Sequence, residues 1–130
     1  MYKIEKKNYG YKITFEGLLQ EEEVKEWVEK SRKVLDSAPP SFGVLVDMRL
    51  MDPLPPELQK YIEEGQRLYK EKGMSRSVVV LRSAVTKMQF QCIAKKTGIY
   101  DWERYIDASS IVNWEKIALN WIINSIDPDK

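Results

Sequence analysis

The chain has 130 residues, 21 basic against 20 acidic for a net charge of +1, which suits one globular domain and leaves no electrostatic footprint for nucleic acid. It has no histidine and a single cysteine, Cys92, which excludes a Ser-His-Asp or Cys-His centre, histidine-ligated zinc and an internal disulfide. The opening MYKIEKKNYG lacks the apolar core of a signal peptide, and no phosphate-binding Gly-rich loop or membrane-length apolar run follows. A cytoplasmic protein is therefore expected, without stable membrane insertion, cofactor or metal.

Two short alternating segments come first. YKITFE sets Tyr11, Ile13 and Phe15 against Lys12, Thr14 and Glu16, the period of a half-buried strand. YKIEK before it is similar, and Asn8-Tyr9-Gly10 supplies the turn of a hairpin. The period then changes: Val24, Trp27, Val28, Ser31, Val34 and Leu35 fall on one helical stripe, with Glu21, Glu22 and Glu23 at its start, where the helix dipole favours negative charge. Pro39-Pro40 stops that helix. FGVLVDM reads as a strand apolar on both faces, hence covered on both.

After the loop DPLPP, residues Leu58, Tyr61, Ile62, Gly65, Leu68 and Tyr69 form a second stripe. Gly65 inside it points to a close approach of helix to sheet, and Gly73 occupies a C-cap position. SVVVL is a second doubly buried strand. A third helix is expected from about Ala84 to Thr97, with Val85, Met88, Cys92 and Ile93 inward, and Cys92 an inert buried thiol. WERYI is a short fifth strand, at whose edge Trp102 or Tyr105 faces out. A last helix carries Trp114, Ile117, Ala118, Trp121 and Ile122 on one face. The order strand-strand-helix, then strand-helix three times, predicts an α/β domain over residues 1–130. Its sheet is mixed but mostly parallel, with about five strands and about four helices. FGVLVDM and SVVVL should be adjacent and parallel.

This order of elements, with VLVDMRLMD before a helix, YKEKGMSRSVVVL after it and IALNWI near the end, resembles the STAS-type, SpoIIAA-like domains of the anti-sigma-factor antagonists and their looser relatives. The resemblance aligns Asp47 and Asp52 with that family's two aspartates, and Ala118, Trp121 and Ile122 with a closing Ala-x-x-Trp-aliphatic pattern. It implies a non-enzymatic regulatory or protein-interaction domain. The antagonists' phosphorylatable serine is absent, since no hydroxyl residue lies between Met48 and Gln59, and a phosphoserine switch needs an acceptor there.

Two sets of candidate site residues emerge. Asp47, Arg49, Asp52, Leu54 and Glu57 sit at and after the end of an apolar strand, where open α/β sheets bind ligands. They form a candidate protein-binding surface on a loop that its prolines make stiff. Against this stands a plain ion pair of Asp47 with Arg49 and a rigid corner. Trp27, Trp114 and Trp121 are the second set. Core packing is one reading, and an apolar pocket between helix and sheet for a lipid-like small molecule is the other. A homodimer is also open.

Overall fold

The computed structural model describes all 130 residues, Met1–Lys130. The strands are β1 (Tyr2–Lys7), β2 (Gly10–Gly17), β3 (Phe42–Met51), β4 (Met74–Leu81) and β5 (Glu103–Asp107), and the helices α1 (Glu21–Leu35), α2 (Gln59–Lys72), α3 (Ala84–Thr97) and α4 (Trp114–Asn124). Short 3-10 turns at Pro56–Leu58 and Tyr100–Trp102 lead into α2 and β5, so Trp102 precedes the last strand. One sheet runs in the order β1-β2-β3-β4-β5. The opening hairpin is antiparallel, and every later pair is parallel, FGVLVDM beside SVVVL included.

Alternation along the strands divides the interior in two. Tyr11, Ile13, Phe15, Val44, Met48 and Val79 meet α1, α2 and α3 in the larger core. Leu45, Val78, Val80 and Ile106, one residue out of phase, meet Ala118, Trp121 and Ile122 of α4 in a smaller core on the opposite face. The expected stripes of α1 and α2 are the buried ones: Val24, Trp27, Val28, Ser31 and Leu35 in the first, Ile62, Gly65, Leu68 and Tyr69 in the second.

Gly65 makes its close approach to a helix, not to the sheet. A Cβ there would overlap the Trp27 ring of α1, whose plane also stacks on Tyr69 with centroids 5.9 Å apart. Gly65→Ala removes a helix-breaking residue, a gain of up to ~1 kcal/mol, yet drives its Cβ into the buried Trp27 indole and forces the ring to shift. Overpacking of that kind costs ~1–3 kcal/mol, so a lower midpoint in urea denaturation is expected.

The third helix departs from expectation. Its bounds are as predicted, and Ser83 Oγ accepts the Thr86 N–H at 3.1 Å as its N-cap. Its buried face, however, is Thr86, Phe90, Ile93, Ala94 and Thr97. Of the residues expected inward only Ile93 is. Val85 and Met88 are 50% and 59% exposed, and Cys92 is exposed too. Thr97 can face the core because its Oγ1 donates to Gln66 Oε1 at 2.7 Å and also bonds within its own helix, whereas Thr86 Oγ1 is buried with no hydrogen-bond partner.

Candidate functional site

Strand β3 does not stop at Asp47. It runs on to Met51, and its pairing with β2 slips between Thr14 opposite Asp47 and Glu16 opposite Leu50. Met48 and Arg49 thus face the single residue Phe15, which is a β-bulge. The Asp47 carboxylate braces the bulge. Its Oδ1 accepts the Arg49 backbone N–H at 3.1 Å, and its two oxygens accept both arms of the Arg49 guanidinium at 3.0 Å each. The guanidinium also lies 4.3 Å from the Trp114 ring centroid, a cation–π contact that ties the bulge to the start of α4. Burial pushes the Asp47 carboxyl up, but the Arg49 bonds and charge, helped by Lys12, outweigh it and hold the group below the usual carboxylate range. Both oxygens are committed, so Asp47 is a brace on the α4 face of the sheet rather than a free acid at a strand end.

Asp52 and Glu57 lie elsewhere, exposed on the proline loop. The Asp52 N–H donates to Gly17 O at 3.0 Å, which fastens the loop's beginning to the end of β2. Pro55 is extended at φ −57°, ψ 130°, and Pro56 occupies the first position of the 3-10 turn, as a missing N–H allows. Leu54 is not a surface residue. It is 3% exposed, and Gln89 of α3 holds it from behind: Gln89 Oε1 accepts the Leu54 N–H and Gln89 Nε2 donates to the Leu54 carbonyl, both at 2.8 Å. A side-chain amide thereby replaces the strand partner that prolines on either side deny the loop. The outer surface keeps Asp52 and Pro53, with Leu18 and Leu50 beside them at 53% and 61% exposed. The Asp52 carboxylate has no partner within the chain.

The three tryptophans do not line one pocket, because the sheet separates them. Trp27 belongs to the core under α1 and α2, whereas Trp114 and Trp121 pack under α4. Trp121 Nε1 donates to Ser77 O at 2.9 Å, and the Arg104 and Arg76 guanidiniums lie 4.4 and 5.8 Å from its ring centroid. Arg76 also donates to Trp121 O and Ile122 O, closing carbonyls that the end of α4 leaves unpaired. Trp27 does border a cavity with Met48, Phe90 and Ile99, but its volume is about 40 Å³. Such a space takes about one to three waters, against roughly 300–1,000 Å³ for a small-molecule site.

A group absent from the sequence reading sits at the floor of that cavity. Glu103, 4% exposed, accepts Ser77 Oγ–H at 2.5 Å and Tyr105 O–H at 2.6 Å. Burial pushes its carboxyl from 4.5 up to about 7, although both hydrogen bonds pull the other way. It also forms a wall of an open, polar groove of about 250 Å³ bordered by Lys87, Gln91 and Arg104. Tyr105, expected at a free edge, is drawn inward by this carboxylate. The only signal in the sequence was a glutamate in phase with Tyr105, opposite Arg104 and Ile106. No three His, Cys, Asp or Glu side chains converge as a metal site would need, and no helix is long and apolar enough to cross a membrane.

No protein-family model and no curated protein matches the chain. Among solved structures it is similar to an uncharacterized protein of the DUF3478 family from Shewanella loihica PV-4, described as having a SpoIIAA-like fold. The TM-score is 0.59 and the identity 14%, over 94% of this chain and 92% of that one. At that identity the likeness carries architecture and nothing of activity. The mixed five-stranded sheet, with three helices on one face and one on the other, is a SpoIIAA-like fold.

Proposed function

We propose that this domain is a non-enzymatic, STAS-like protein-binding module that works without a phosphoserine switch, in the cytoplasm, and meets its partner through the outer face of the proline loop. One observation supports this above the rest. The loop is fixed from behind by Gln89 and Gly17, while Asp52, Pro53, Leu18 and Leu50 are left outward without partners. A loop already held in place loses little entropy on binding, and an unpaired carboxylate among apolar side chains suits a partner with a basic group beside an apolar contact. The absence of any hydroxyl from Met48 to Gln59 leaves kinase control of this loop without an acceptor.

Asp52→Asn and Leu50→Asp are expected to leave stability within ~0.5 kcal/mol, as exposed substitutions away from special contacts do. Affinity for a partner purified from the source cell should fall in both, and the Asp52→Asn loss should shrink as salt screens the charge. Titration calorimetry at low and high salt, with thermal melts alongside, reads both quantities. Loss of folding instead of binding would make the loop a structural corner.

A further inference from the structure

The outward positions of α1 are Glu21, Glu22, Lys25, Glu26, Glu29, Lys30, Arg32 and Lys33, and those of α2 are Lys60, Glu64, Arg67, Lys70, Glu71 and Lys72. All are charged, and several are paired: Lys25 with Glu21, Arg32 with Glu64, and Arg67 with the half-buried Glu63. These are ordinary solvated faces. The outward positions of α3 are Ala84, Val85, Met88, Cys92, Lys95 and Lys96. Four of these six are apolar or nearly so, and no acidic residue occurs anywhere in the helix.

Helical geometry aligns them. Val85, Met88 and Cys92 are spaced by three and four residues, so they form one seam about two turns long. One turn further on, Lys95 and Lys96 straddle the same line, and Arg82 precedes the helix. None of these three cations has an ion pair with a carboxylate of the chain. Lys95 finds only the face of Tyr100, with Nζ 4.8 Å from the ring centroid. The seam is not a loose end of the core, since α3 buries a complete opposite face. It is an additional apolar stripe, with adaptable Met88 in its centre and unanswered positive charge at both ends.

We infer that the outer face of α3 is a second docking surface, and that its occupant is an acidic amphipathic helix of a partner protein. The three-four spacing fits a helix laid along it, with apolar side chains meeting the seam and carboxylates meeting Arg82, Lys95 and Lys96. A symmetric pairing with α3 of a second copy is disfavoured by charge, because α3 has no carboxylate to offer its own cations. A membrane is disfavoured by shape, because the seam has no aromatic residue and the other half of the helix is locked in the domain. The seam lies beside the proline loop, because Gln89, which holds Leu54, is four residues after Val85 and three before Cys92, so substitutions at Met88, Lys95 and Lys96 test it apart from those at Leu50 and Asp52.

The test is an NMR titration of the full chain with two synthetic helical peptides. Both carry leucines at three-four spacing, one flanked by glutamates and one by lysines. The acidic peptide is expected to shift amide signals from Arg82 to Lys96, and to bind at least tenfold more tightly than the basic one. Met88→Asp and the Lys95→Glu/Lys96→Glu pair should each weaken it at least tenfold while thermal melting is unchanged. Equal binding of the two peptides, or shifts confined to the proline loop, would overturn the proposal. So would sedimentation of the protein on phosphatidylglycerol vesicles without peptide binding, or a dimer that Met88→Asp dissolves.

Discussion

Trp121→Ala is expected to be among the most damaging single changes in the chain, at about 3–5 kcal/mol, the usual cost of emptying a large aromatic site. The indole is 7% exposed and forms the centre of the smaller core. Its loss also frees the Ser77 carbonyl and strips Arg76 and Arg104 of the ring they lie against. Arg104 stays attached through its paired bonds to Asp127, at 2.9 and 3.0 Å, so the C-terminal tail should remain docked while α4 loosens. Urea denaturation would give the loss in stability, and hydrogen exchange would place the early opening in α4 and not in α1. Trp121→Phe, which keeps most of the volume but neither the N–H nor the full ring, should lie between the two.

The second large effect is pH dependence. Glu103 has a folded-state value of about 7 against an ordinary 4.5, so the folded protein holds a proton that the unfolded chain releases across this interval. Stability from this group is therefore fully present below about pH 4.5 and is lost as pH rises through about 7. A shift of that size corresponds to a loss on the order of 3 kcal/mol. The chain has no histidine, whose ionisation would otherwise overlay this window. Chemical denaturation at intervals between pH 5 and 8.5 should show stability falling towards alkaline pH, and Glu103→Gln should flatten the curve. An unchanged slope in the variant would show that another group carries it.

Legibility in the sequence followed how directly the polarity of a residue reports its burial. In α1 and α2 every outward position is charged, so periodicity alone located the buried stripes. In α3 the seam Val85-Met88-Cys92 faces out while Thr86 and Thr97 face in, and hydrophobic periodicity has no means of telling an outward apolar face from an inward one. Asp47 looked like a strand end because the apolar run stops there. The strand survives the charge because Arg49, two residues on, neutralises it across a bulge. Leu54 looked accessible because prolines surround it, and the amide that buries it stands 35 residues further along. Glu103, Ser77 and Tyr105 meet only through the register of β4 with β5, which no local pattern encodes.

The fold separates two kinds of carboxylate. Asp47 and Glu103 are inside, with both oxygens of each already occupied by Arg49 or by Ser77 and Tyr105. Asp52 and Glu57 are outside on a fixed loop, and neither carboxylate has a hydrogen bond or ion pair within the chain. The most direct measurement is the affinity of a partner, captured from the source cell and then purified, for the wild-type chain and for Leu50→Asp and Asp52→Asn at low salt. A loss of at least tenfold in Leu50→Asp and a salt-dependent loss in Asp52→Asn, with unchanged melting temperatures, is the result the binding-loop account predicts. Equal affinities for all three proteins would contradict it.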